Sequence, residues 1–210
     1  MNPDEQSSRR RSDGARTHAM ILEAAARLAS VEGLHGVTLG RLAAETGVSK
    51  SGLYAHFGSK EQLQLEAIDA ALAIFAREVM EPAFEERPGM RRLEAMFDAY
   101  FSYLERWVFP GGCFFAALLA EIDARPGPLR DKVAALERDW VAELTTLARA
   151  AQELGEIRAG EDIEQLVFEL YAALELTNYH FVLFRDENVL RRGRRAVRGM
   201  LARARADVQG

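Results

Sequence analysis

Apolar residues recur at helical spacing along almost the whole chain, interrupted by glycine, proline or short polar breaks. Ile21, Leu22, Ala25, Leu28 and Ala29 mark a first helix from Arg16 to Val31, ended by Gly33 and Gly36. Thr38 stands as an N-cap before a short helix carrying Leu39, Leu42 and Ala43, which Gly47 closes. Ser49 then opens KSGLYAHF, barely two turns long before Gly58. Ser59, with Gln62 three residues on, reads as a capping box for a fourth helix reaching about Phe84. Five more helices are predicted, at Met90–Val108, Cys113–Ile122, Pro128–Leu154, Asp162–Phe184 and Asn188–Ala206. Breaks fall at Pro88-Gly89, Pro110-Gly111-Gly112, Pro126-Gly127-Pro128, Gly155 and Arg185-Asp186. No segment alternates with period two between turn residues, and no fixed repeat occurs. The pattern predicts an all-α protein of about nine helices, a three-helix head followed by a helical-bundle body.

Composition agrees with a packed globular chain: of 210 residues, 49% are hydrophobic and 28% charged, which argues against disorder or a fibrous repeat. There is no apolar run of about eighteen residues and no apolar block in MNPDEQSSRRRSDG, so neither a membrane span nor a secretory signal is expected and the protein is placed in the cytoplasm. The lone cysteine, Cys113, fits a reducing compartment. It is either a buried inert thiol or, at a helix start, one activated by the helix dipole.

Charge changes the picture more. The net value of −5 argues on average against nucleic-acid binding, yet it is unevenly spread. Residues 1–60 hold eight basic and six acidic side chains, leaving nineteen against twenty-six for residues 61–210. A modestly basic head on an acidic body suits a phosphate-facing end. Residues 1–14, with Arg9, Arg10 and Arg11, read as a disordered basic arm, either a solvated tail or a DNA contact. Residues 15–62 form the head and 63–210 the body.

The third helix has what a reader of base edges needs: small or polar residues at its start and an apolar underside. Lys50, Ser51 and Gly52 lie in the first turn, while Leu53 and Phe57, one helical step apart, can pack inward. Gly52 costs about 1 kcal/mol relative to alanine inside a helix, and its missing side chain would let the backbone approach DNA. Tyr54, His56 and Lys60 can reach phosphates, helped by the amide donors at the helix starts after Thr38 and Ser59.

Thr38, Leu42, Ala43, Gly47-Val48-Ser49, Leu53-Tyr54, His56-Phe57 and Ser59-Lys60-Glu61 together resemble the DNA-binding head of the TetR family of repressors. The likeness covers about 50 residues; beyond Glu66 it rests on helix number and length. The resemblance implies a homodimer whose two heads enter successive major grooves of a palindromic operator on double-stranded DNA, and a variable body that binds a small inducer. It also implies that Thr38, Tyr54, His56 and Lys60 hold phosphates and that Ser49, Lys50, Ser51 and Gly52 face bases, with Lys50 the candidate for hydrogen bonding to guanine.

In the body, the last two helices are the expected dimer surface, with Ile163, Leu166, Val167, Leu170, Leu174 and Phe181 as an apolar stripe shared with the subunit's own core. Arg191, Arg192, Arg194, Arg195 and Arg198 are expected to complement acidic surface rather than to touch DNA. Among the many aromatics of the body, Tyr103, Trp107, Trp140 and Tyr171, with Glu175 and Asn178, are the candidate lining of a pocket for a small, largely apolar ligand. His180 and Glu175 lack further ligands at metal spacing, so no metal and no cofactor are expected.

Three function classes follow. The first is a ligand-responsive DNA-binding regulator. The second, an all-α enzyme, lacks HExxH, GxSxG, GxxxxGKS and GxGxxG, so no catalysis is expected. The third is a DNA-binding structural or adaptor module without a ligand.

Overall fold

The computed structural model describes the backbone of residues 3–122 and 126–206, and side chains from residue 13 onward within those ranges. Its elements are α1 (Pro3–Glu32), α2 (Leu39–Thr46), α3 (Lys50–Phe57), α4 (Lys60–Phe75), a π turn (Ala76–Met80), α5 (Glu81–Phe84), α6 (Met90–Glu105), α7 (Phe114–Ile122), α8 (Pro128–Glu153), α9 (Ile163–Phe184) and α10 (Glu187–Ala204). Because α4, the π turn and α5 run on without a break, the described residues form nine helical rods. No strand is present among them, only an isolated antiparallel bridge between Ile157 and Arg205.

Two boundaries depart from the sequence pattern. Residues 3–14, expected to be a disordered arm, continue α1 as helix. Pro3 suits a first helical turn, Glu5, Gln6 and the three arginines are good helix formers, and extending an existing helix avoids the cost of nucleation. Arg9, Arg10 and Arg11 as a DNA-touching arm lie outside the described side chains. The second departure is the π turn. Pro82 cannot donate to the Glu78 carbonyl and its ring would crowd that carbonyl, so the helix widens just before it, with the Glu81 N–H reaching Ala76 O.

Head and body share one continuous core, from Ile21 on α1 to Ala204 on α10. Leu42, Leu53 and Phe57 seal the underside of α2 and α3 against α1 and α4. In the body, α6 packs on α8 and α10, and α9 lies between α8 and α10. The α9–α10 crossing is close: a Cβ on Gly193 would stand 2.3 Å from Thr177 Oγ1. The basic face of α10 meets acids of α6, with Arg194 bonded to Glu105 at 2.9 Å and Arg198 to Asp98 at 3.3 Å.

The proposed dimer stripe needs correcting. Ile163, Leu166, Val167, Leu170, Leu174 and Phe181 are all buried within the subunit. The apolar side chains α9 leaves outside are Phe168, Leu176, Tyr179, Leu183 and Phe184, from 43% to 72% exposed. A helix between two neighbours has apolar residues on more than one face, and periodicity alone does not say which face is covered.

Candidate DNA-binding surface and ligand cavity

The head is built from three short-range caps. Thr38 Oγ1 accepts the Arg41 N–H at 3.1 Å, Ser49 Oγ the Gly52 N–H at 3.1 Å and Ser59 Oγ the Gln62 N–H at 3.0 Å. A hydroxyl that accepts as a cap keeps its own hydrogen, so each remains able to donate to a phosphate. Ser59 and Gln62 form only half a capping box, because the Gln62 side chain turns away to Glu66 at 2.8 Å.

On α3, Leu53 and Phe57 point inward while Lys50, Ser51 and Tyr54 are exposed, Tyr54 at 61%. Lys50 lies across the start of α2: a Cβ on Gly40 would sit 3.3 Å from its Cε. Gly52 is closely packed from inside: a Cβ there would sit 3.0 Å from Val48 Cγ1 in the preceding turn, which would have to give by a few tenths of an ångström. The half-buried His56 ring stands beside His18, centroids 5.7 Å apart. Lys60 donates from Nζ to His35 O at 2.7 Å, so it also clamps the turn between α1 and α2.

That turn is gripped by the body. Glu121 on α7 accepts the Leu34 N–H at 2.5 Å and the His35 N–H at 2.6 Å, and its Oε1 lies 2.6 Å from His35 Nδ1. Gln64 donates to Leu34 O from the other side at 2.8 Å. Nearby, the Gly111 N–H donates to Ser30 Oγ, and a Cβ on Gly111 would collide with Ser30 O at 1.7 Å. Arg27 completes the seam with a 3.1 Å bond to Val108 O.

The body holds a cavity of about 340 Å³. Its walls come from α4 and the π turn (Leu72, Phe75, Ala76, Met80), from Tyr100, Cys113 and Phe115, from Leu136 to Glu143 on α8, and from Tyr171 and Glu175 on α9. Phe75 is the aromatic hub, edge-on to Trp140 at 5.2 Å and to Phe115 at 5.7 Å. Tyr171 donates its hydroxyl to Glu137. Burial pushes the Glu175 carboxyl up to about 7, with the neighbouring Glu137 adding to the shift. Burial also raises Glu137, against the hydrogen bond from Tyr171.

Residues 21–68 match the family described as bacterial regulatory proteins, tetR family, and residues 89–197 match the tetracyclin repressor-like C-terminal domain. The chain belongs to the TetR family. It is a DNA-binding transcriptional regulator of that family. It is similar to the HTH-type transcriptional regulator LmrA of Bacillus subtilis, 29% identical over 126 residues that span 58% of this chain and 65% of that one. It superposes on a TetR transcriptional regulator from Chloroflexus aurantiacus with a TM-score of 0.85 at 27% identity, over 92% of this chain and 98% of the other. AibR, solved with isovaleryl coenzyme A and operator DNA, gives a TM-score of 0.63 at 22% identity, over 89% and 97% of the two chains.

On this TetR frame the eight head residues singled out in the sequence fall on one end of the molecule, on α3 and the two adjoining helix starts. The cavity candidates divide. Trp140, Tyr171 and Glu175 line it, whereas Tyr103, Trp107 and Asn178 do not. Tyr103 is buried in the core, its hydroxyl accepting the Phe114 N–H at 3.4 Å. Trp107, in the left-handed region at φ 49°, stacks on Phe181 at 4.6 Å beneath Arg185. Asn178 is buried, with Oδ1 accepting the Cys113 N–H at 2.8 Å. A large or amide side chain on an inner helix face serves a wall or the core equally well, and only the arrangement of helices chooses.

Sequence reasoning missed Glu137, Glu143, Phe75 and Tyr100 in the wall. The signal available was Glu137 three residues before Trp140, which places both on one face of α8. Cys113 is 3% exposed and burial pushes its thiol up to about 11, so the position at a helix start does not activate it. Among the described residues no helix is long and apolar enough to cross a membrane, and no three His, Cys, Asp or Glu side chains gather as a metal site.

Proposed function

We propose that this regulator is a homodimer that holds a palindromic operator and releases it when a small molecule fills the body cavity. The observation that carries this reading is that two helices lining the cavity also reach the head, one by beginning in it and one by holding a turn of it. The rod beginning at α4 runs from Ser59 and Lys60, at the edge of the DNA-facing surface, to Leu72, Phe75 and Ala76 in the cavity wall. α7 runs from Phe115 in the wall to Glu121, which holds the Leu34–His35 turn. A ligand that fits one separation of these helices better than another shifts the head between arrangements, and ligand and DNA affinities are then reciprocally linked.

In this reading Lys50, Ser51 and Gly52, with Ser49, face base edges, while Thr38, Tyr54, His56 and Lys60 take phosphates. With a weakly basic head, operator affinity rests on two heads acting together. The exposed apolar face of α9 supplies the surface that joins them, since a single subunit would leave Phe168, Leu176 and Leu183 in water. Leu176→Arg is expected to give monomers in sedimentation analysis and to lose the operator complex.

The direct test is an electrophoretic shift on the promoter DNA of the chain's own gene, with and without compounds that raise the melting temperature. A sequence-specific complex weakened by a stabilising compound supports the reading. A complex that no stabilising compound affects returns the protein to a DNA-binding module without a ligand, and no specific complex at moderate salt overturns the proposal.

A further inference from the structure

The cavity that the ligand-responsive reading depends on has an unusual charge balance. Among the described residues its walls carry four carboxylates, Glu137, Asp139, Glu143 and Glu175, and no lysine, arginine or histidine. Glu137 and Glu175 are partly buried between α8 and α9, with the Tyr171 hydroxyl on Glu137. A buried carboxylate is costly unless a counter-charge or several donors meet it, and one phenol does not neutralise two acids. Both carboxyls are accordingly held above their ordinary range, chiefly by burial.

The rest of the wall is aromatic. Phe75, Phe115, Trp140 and Tyr171 surround the acids, and aromatic faces attract cations through their quadrupoles, most strongly away from water. A separate observation points to the same space. Tyr100 lines the cavity, is 3% exposed, and its hydroxyl is the one buried side-chain polar atom among the described residues that makes no hydrogen bond of normal geometry, with only the weakly bonding Cys113 thiol acting on it. Native structures rarely leave such a group unsatisfied, and the N–H of a protonated amine in the cavity would supply a partner, whereas a quaternary one would be held by the acids and aromatic faces alone.

We propose that the cavity takes an organic monocation, a protonated or quaternary amine on an apolar body, with its charge at Glu137 and Glu175 and its apolar part against Phe75, Phe115 and Trp140. An anionic ligand would add like charge to the acids, and a neutral one would leave them without a counter-charge. The Asp139 carboxyl, exposed at the rim, and Glu143 favour entry of a positive charge.

The inference rests on the ligand-responsive reading, and the test separates the two. Three matched probes are titrated calorimetrically into the full chain: benzyltrimethylammonium, its neutral isostere neopentylbenzene, and 3-phenylpropionate. The cation is expected to bind at least about tenfold more tightly than the neutral isostere, with no binding of the carboxylate. Glu137→Gln and Glu175→Gln, which keep size and shape, are each expected to weaken the cation roughly tenfold and to leave the neutral probe unchanged. Melting curves check that both variants fold, and Tyr171→Phe gives a further variant that alters the acid pair without removing either carboxylate. Equal or better binding of the neutral or anionic probe overturns the inference, as does a cation affinity indifferent to both glutamine variants. If a neutral or anionic probe binds and also releases the operator, only the charge assignment fails. If no probe binds and operator affinity never responds, the ligand-responsive reading fails and the inference with it.

Discussion

The head and the cavity solve opposite problems with polar groups. In the head, hydroxyls lie at the surface and each cap is satisfied three residues away, at Thr38–Arg41, Ser49–Gly52 and Ser59–Gln62. In the cavity, Tyr171 reaches a carboxylate 34 positions distant, Glu175 is kept partly out of water, and Tyr100 makes no hydrogen bond of normal geometry. The head is finished without its partner and meets DNA with groups already oriented. The cavity keeps its polar groups mostly inside, and the proposed cation would complete them. Pre-oriented surface groups suit a partner that is always the same polyanion, whereas an incomplete interior makes a conformational change conditional on one kind of molecule.

This contrast can be broken most severely from the head's apolar underside. Leu53→Ala removes a side chain with no exposed area, and is expected to cost about 2–5 kcal/mol in denaturant unfolding. It should abolish the operator complex while calorimetric ligand binding persists below the lowered melting temperature. Loss of ligand binding under those conditions would show that the two regions are not separable.

Next comes the acid in the cavity. The Glu175 carboxyl is raised from 4.5 to about 7 in the folded protein, so between those values the folded state binds more protons than the unfolded one. Stability therefore falls as pH rises through that window and levels off above it. The facing titratable groups are Glu137, Glu143 and Asp139 on α8, Tyr171 on α9, Tyr100 on α6 and Cys113 in the loop before α7. Glu175→Gln is expected to flatten the fall and to stabilise the free protein at pH 8, with a ceiling of roughly 3 kcal/mol. Melting temperatures recorded from pH 4.5 to 8 decide it, and an unchanged slope would place the strain elsewhere.

Lys50→Ala probes the head's exposed face. As a base contact it should weaken operator binding by about 1–3 kcal/mol and relax preference at one position. A uniform loss across sequences with a shallower salt dependence would make it a phosphate contact instead.

The smallest expected effect lies between the two regions. Glu121→Gln keeps the volume but weakens the charge-assisted hold on the Leu34 and His35 amides. Ligand and DNA affinities measured separately should change little, while the factor by which ligand weakens DNA binding should drop by about 1 kcal/mol of coupling. An unaltered factor would leave the α4 rod as the connection.

Much of this was legible beforehand where the determinants are local. The caps, the Gly47 and Gly58 stops and the proline-glycine breaks placed the helices after the first within a few residues, because a backbone amide at a helix start finds its acceptor three positions away, whereas the uncapped start of α1 was not legible. Lys50, Ser51 and Tyr54 were recognisable as outward-facing because α3 is short and its inward residues, Leu53 and Phe57, are unmistakable. The cavity was half legible. Trp140, Tyr171 and Glu175 line it, Tyr103, Trp107 and Asn178 lie outside its lining, and nothing in the sequence singles out Glu137 beyond its spacing from Trp140. Large side chains on the inner faces of several helices carry the same periodicity whether they fill space or border it.

By itself, the sequence determined a chain of helices, their order and their capped ends, and the group of residues presented by a short third helix. Only the tertiary structure decided which face of α9 remained outside, that Glu121 would reach back to the turn before Thr38, and that Glu137 would come to share a tyrosine-lined space with Glu175. Helix ends are fixed by hydrogen bonds over three or four residues and can be read locally. A cavity is what remains when five or six helices have finished packing, and its chemistry belongs to no single segment of the chain.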